Sequence, residues 1–281
     1  MLRLHSSVRV LTLADQDEAL ALCARDPAAN CFVASRVLEG GLASATNTLL
    51  GYGDEGALTS LLWTGVNLVP VELTADAVAA FAHRVRRQRR SCASIFGPYE
   101  GVQGLWSALT PTWGPARTLR HIQPLLATST APSMLGIELD PRVRLAEPAD
   151  VDLVVPAAAA MFTDEIGYPP FVGSTTAYRA TIAGLIRARR TYVWIDRGRC
   201  LFKADVGSVA VGAAQIQGVW LAPGLRGRGL SVPLMAAVTE DVLASVAPVA
   251  SLYVNEFNHA ARRTYAALGY RDIGTFTTVL L

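Results

Sequence analysis

The chain has 281 residues, enough for two domains of ordinary size or one large one. Its formal net charge of +2 gives no case for nucleic acid or an anionic membrane as partner. The longest apolar stretches, such as VVPAAAAMF, are too short to span a bilayer, and the four cysteines form no C-x-x-C pair, which argues against a metal site or disulfide framework.

The N-terminus, MLRLHSSVRVLTLADQDEA, has no apolar h-region and no cleavage site, so a cytoplasmic location is expected. Within it, VRVLTLADQD at 8–17 returns as VRLAEPADVD at 143–152. Both fit V-R-(V/L)-x-x-x-A-D-x-D and lead into an alanine-rich stretch. Each reads as a short strand, a turn with Asp at a helix cap, then a helix. The offset divides the chain nearly in half, as a duplicated domain would. ATSTAPSMLGIELDP between the copies suits a linker. The expected domains are 1–138 and 139–281.

In the first half, LTSLLWTG and VNLVPVEL read as a hairpin joined at Gly65. TADAVAAFAHRVRRQRR reads as a helix capped by Thr74, with Val78, Phe81 and Val85 on one side. The basic run His83–Arg90 then falls at a helix end, where cations meet the negative pole of the macrodipole. SCASIFGP is a buried strand, GVQGLWSALTPTW a short helix and ARTLRHIQPLL a strand. The mixture implies an α/β or α+β domain.

The second half repeats the plan. MFTDEIGYPP ends its first helix and carries Asp164 and Glu165. TYVWID and CLFKADVG read as strands joined at Arg197-Gly198, with Lys203 and Asp205 expected at the surface of a strand end. SVAVGAAQIQGVWL reads as a long strand region. LSVPLMAAVTEDVLASVA is a helix with Leu230, Leu234 and Val238 on one face, and Pro233 falls in its first turn. VASLYVN is a strand, HAARRTYAALG a helix closed by Gly269, and YRDIGTFTTVLL one or two final strands.

Between strand and helix lies VWLAPGLRGRGLS. Its glycines are spaced G-x-x-G-x-G, the wrong order for a dinucleotide fingerprint, and no P-loop lysine follows. The physics still points to phosphate. Glycines let successive N–H groups converge on one anion, the following helix presents its positive end, and Arg226 and Arg228 add charge.

R-G-R-G-L-S at 226–231 resembles the (R/Q)-x-x-G-x-(G/A) coenzyme A signature of the GNAT acyltransferase superfamily, with Ser231 in place of the last small residue. NEFNHAARRTYAALGY at 255–270 resembles that family's N-x-x-A-x-x-x-Y-x-x-x-G-(F/Y) segment. Together the two motifs cover about residues 210–275. The first half lacks both and resembles the degenerate N-terminal domain of two-domain members. The resemblance implies an α+β fold: two tandem domains, each a mixed, mostly antiparallel sheet flanked by helices.

It also implies acetyl-CoA as cosubstrate and N-acetyl transfer to a primary amine, small or on a peptide or protein, by direct attack. The backbone of Val219 and Leu221 would pair with the pantetheine arm. The turn formed by Arg226, Gly227, Arg228, Gly229, Leu230 and Ser231 would hold the pyrophosphate. Asn258 would cap its helix, Ala261 would leave room for the arm, and Tyr265 would face the thioester sulfur. Glu165 is the candidate general base, directly or through water. The competing readings are a coenzyme A-binding sensor without turnover, an acyltransferase preferring a longer acyl group or an alcohol, and a nucleic-acid binder using the 83–90 run.

Overall fold

The computed structural model describes residues 8–44, 47–54, 56–87 and 92–281. Its elements come in two runs of the same order. The first is β1 (Val8–Val10), α1 (Gln16–Cys23), α2 (Pro27–Leu38), β2 (Thr48–Asp54), β3 (Ala57–Thr64), β4 (Asn67–Val71), α3 (Ala75–Val85), β5 (Ser94–Pro98), α4 (Tyr99–Trp113) and β6 (Thr118–Thr128). The second is β7 (Arg144–Leu145), α5 (Val151–Ile166), α6 (Thr176–Arg187), β8 (Thr191–Asp196), β9 (Arg199–Ala210), β10 (Ala213–Leu221), α7 (Ser231–Ser245), β11 (Val249–Tyr253), α8 (His259–Ala267) and β12 (Arg271–Leu280).

The repeated sequence motif has a repeated structural job. Arg9 donates to Asp15 at 2.6 Å, and Arg144 donates to Asp150 at the same distance. Each Asp also accepts a backbone N–H at the turn into its helix, from Thr12 and from Glu147, both at 2.8 Å. Each aspartate thus stands at the start of its helix without capping it: its side chain reaches back three residues to close the short 3-10 turn before the helix, pinned by an arginine on the preceding strand. The Arg144 guanidinium holds the Asp150 carboxyl below the usual carboxylate range.

By contacts the chain forms two compact units. One is Met1–Leu126 with Tyr253–Asn258 and Asp272–Leu281, and the other is Ala127–Leu252 with His259–Arg271. In the first unit, β1 to β4 form an antiparallel meander, β5 adds parallel to β4, and β12 adds antiparallel to β5, with Leu280 opposite Ser94. The last strand of the second run therefore stands between β5 and β6. Buried Phe81, Val85, Ile95, Leu105 and Leu109 share one core cluster with Val279 of this strand. The Thr74 hydroxyl accepts the Ala77 N–H at 3.2 Å, the expected cap of α3. Residues 88–90 of the His83–Arg90 run lie outside the described residues.

In the second unit, β7, β8, β9 and β10 are antiparallel neighbours, and β11 joins β10 in parallel. Helices α5 and α6 cover one face through Val154, Ala158, Ile182 and Ile186, which cluster with Val193 of β8. On the other face Tyr192 donates to Asp241 of α7 at 2.6 Å. The region 208–221, expected as one long strand, is broken by a turn at Val211-Gly212. Both residues have positive φ, 46° and 81°, and the turn makes β9 and β10 a hairpin. The parallel pairing of β10 and β11 covers Ala213–Gln215 against Val249–Ser251, and beyond it the strands part. Where they part, β10 also bulges against β9. Gln217 is opposite Asp205 and Trp220 opposite Lys203, so Gly218 and Val219 face Ala204 alone.

Candidate active site

A cavity of 440 Å³ opens in the second unit, where β10 gives way to α7. Phe202, Val219, Leu221 and Met235 form its apolar part. Arg226, Gly227, Gly229 and Ser231 contribute the turn, and α8 contributes Ala261, Arg263 and Tyr265. The cavity thus brings together Val219, Leu221, Arg226, Gly227, Gly229, Ser231, Ala261 and Tyr265, all singled out in the sequence. Arg228 is exposed on the same turn, and Leu230 is the residue before α7. Asn258 immediately precedes α8, and its N–H donates to the Asn255 carbonyl at 2.9 Å. Glu165 is exposed in the last turn of α5.

The turn is built to present amides. Gly227 and Gly229 have φ of 75° and 76°, a region that costs an L-residue about 1–2 kcal/mol. A Cβ would meet nothing at either position, so the backbone angle alone calls for glycine. Gly224 does not need this freedom. The turn's hydrogen bonds end with the Arg226 N–H, which donates to the Pro223 carbonyl at 3.2 Å. From Gly227 to Leu230 the N–H groups have no acceptor of good geometry among the described residues. No side chain caps α7, so its positive end also faces this turn.

The N-terminal counterpart lacks all of this. There the strand ends at Val71 and the helix begins at Ala75, and the Thr74 hydroxyl already satisfies the Ala77 N–H. The connection in the second unit spans residues 222–230 and leaves the amides of 227–230 open.

Arg226 is committed within the protein. Its Nε donates to the Leu221 carbonyl at 2.9 Å and a terminal nitrogen to Asp164 at 3.1 Å. Asp164 therefore draws positive charge from the turn. A cavity-lining cation that the sequence did not single out is Arg263, one of two adjacent arginines in HAARRTYAALG.

Tyr265 is 6% exposed. Burial pushes its phenol well above the ordinary tyrosine range, with further contributions from Tyr270, whose ring centroid lies 5.7 Å away, and from the charge of Glu165. Such a phenol stays protonated and acts as a hydrogen-bond donor.

Lys203 and Asp205 are not surface residues. They lie within β9 at 0% and 4% exposure, because α5 and α6 cover the face that the sequence leaves open. Among the described residues no group of His, Cys, Asp and Glu side chains could hold a metal ion, and no helix is long and apolar enough to cross a membrane.

Residues 207–279 match the family model described as FR47-like protein, and residues 47–154 match a domain of unknown function (DUF4081). No curated protein matches the chain in sequence. Among solved structures, a GCN5-related N-acetyltransferase from Sphaerobacter thermophilus is similar, with a TM-score of 0.61 and 15% identity over 100% of this chain and 97% of that one. An acetyltransferase of the GNAT family from Colwellia psychrerythraea gives a TM-score of 0.58 at 13% identity, over 98% and 99%. A tandem GNAT protein from the clavulanic acid biosynthesis pathway gives 0.56 at 14%, over 98% of both chains. The chain has the two-domain fold of the GNAT superfamily, with an FR47-like segment in its C-terminal part.

Proposed function

We propose that the C-terminal part binds acetyl-CoA and transfers its acetyl group to a primary amine. The observation that carries this reading is one cavity with uncommitted main-chain amides at one end and a buried, protonated Tyr265 on its wall. The donor set fits a diphosphate: N–H groups from Gly227 to Ser231, the positive end of α7, and arginines at 228 and 263. The apolar part lined by Phe202, Val219 and Met235 suits the pantetheine arm and acyl group.

The amine nitrogen attacks the thioester carbonyl, forming the C–N bond as the C–S bond breaks. The Val219 N–H is the donor to the oxyanion, and Tyr265 donates to the departing thiolate sulfur. The amine proton passes to Glu165, directly or through water. The tyrosine stabilises the thiolate by hydrogen bonding, since its raised pKa disfavours outright transfer. The acceptor is a small-molecule, peptide or protein amine. In this reading, residues 1–138 are a degenerate copy that has lost the phosphate turn, and residues 139–281 are the catalytic domain acting in the cytoplasm.

Calorimetric titration with coenzyme A and acetyl-CoA, followed by thiol release in the presence of an amine panel, tests the proposal. Binding with turnover is expected. Binding without turnover on any amine favours a sensor, and no binding at all ends the reading. Two variants sharpen it. Gly229→Val should weaken coenzyme A binding about 10-fold, the equivalent of the strain imposed at positive φ. Asp164→Ala should tighten binding by a fewfold and steepen its salt dependence, because Arg226 is then released toward the phosphates.

A further inference from the structure

Lys203 is the only lysine in the chain, and its side chain is fully enclosed. Its ammonium lies 2.5 Å from an Asp205 carboxylate oxygen and 2.8 Å from the Gly218 carbonyl oxygen. The second Asp205 oxygen accepts from the Thr191 hydroxyl at 2.9 Å. A buried ion pair adds little net stability, because desolvation offsets the attraction. What this pair does is grip one carbonyl of the β10 bulge.

That grip has a stereochemical result. Among the described residues no peptide bond is cis, and in a planar trans peptide the carbonyl and the following N–H point in opposite directions. A Gly218 carbonyl aimed at Lys203 sends the Val219 N–H the other way. Successive strand residues face opposite sides of a sheet, and Phe202, the neighbour of Lys203, lines the cavity. The N–H is therefore directed to the cavity side. A cation at the carbonyl end also polarises the peptide and strengthens its N–H as a donor. Gly218 is the residue this needs. Its φ is 58°, and a Cβ there would stand 2.9 Å from both Lys203 Nζ and Asp205 Oδ2.

We infer that Lys203, held by Asp205 and Thr191, is a positioning residue that orients and polarises the Gly218–Val219 peptide toward the thioester carbonyl oxygen. The inference rests on the acetyl-CoA reading given under Proposed function. It is tested with acetyl-CoA labelled with ¹³C at the carbonyl, by infrared difference spectroscopy on the full chain. In the wild type, binding should lower the thioester carbonyl stretch. The charge-neutral pair Lys203→Met with Asp205→Asn should keep coenzyme A affinity within about threefold and lose that lowering. A double variant that binds with the full wild-type shift overturns the inference and leaves the acetyl-CoA reading standing. A wild type that binds no acetyl-CoA overturns that reading and the inference with it.

A second measurement needs no variant. ¹⁵N-lysine labelling yields a single side-chain resonance, which should exchange slowly with water and move further with acetyl-CoA than with coenzyme A. Fast exchange, or equal shifts with the two ligands, overturns the inference.

Discussion

Tyr265→Phe is expected to lower turnover about 100-fold while leaving the coenzyme A dissociation constant within about twofold. The phenyl ring keeps the packing against Tyr270, so the α8 wall of the cavity stays in place. Only the hydroxyl is lost, and it matters when charge gathers on sulfur. Its interaction belongs to the transition state and should appear in kcat rather than in binding. The pH profile gives an independent check. Burial holds the Tyr265 phenol above its ordinary range, so its protonated form persists through neutral and mildly alkaline pH. No loss of rate assignable to this group should appear below about pH 10. Equal losses of rate and affinity in Tyr265→Phe would show that the side chain shapes the cavity and does no chemistry.

Lys203→Met should cost about 3–5 kcal/mol of stability, because it leaves the Asp205 carboxylate buried without its cation. For a chain of this size the thermal midpoint should fall by about 10 °C. Adding Asp205→Asn removes the stranded charge and should restore most of the loss. The two substitutions are therefore strongly non-additive, and a double-mutant cycle by thermal or denaturant melting measures the coupling. If the single and double variants melt alike, the pair is not coupled as its geometry requires.

The parts of this molecule legible in the sequence are those set by local chemistry. Thr74 reads as a helix cap and is one. The V-R-x-x-x-x-A-D repeat reads as a strand and capped turn, and its Arg-Asp pair closes the same turn in both copies. Gly227 and Gly229 read as positions that need backbone freedom, and both have positive φ. The break at Val211-Gly212 was hidden because a non-glycine residue takes positive φ there inside an apolar run. The burial of Lys203 and Asp205 is hidden in the sequence for a different reason. Two charges two residues apart on a strand normally mark a solvent face. Here two helices cover that face, and the partner carbonyl is fifteen residues away at Gly218. The available clue was a glycine in the facing Q-G-V-W segment, which marks a bulge only once the hairpin register is known.

The placement of β12 governs how the chain can be made. Residues 94–98 pair with residues about 180 positions later in the chain, since Ser94 faces Leu280 and Pro98 faces Phe276. Until those are synthesised, the nascent first unit has a gap between β5 and β6 and an open edge on β5. Domain-by-domain folding from the N-terminus, the usual course for chains of this length, cannot finish here. The first unit must wait for this distant strand, so its closure is a slow, long-range event. Removing the final ten residues should disable the half that is farthest from them in sequence.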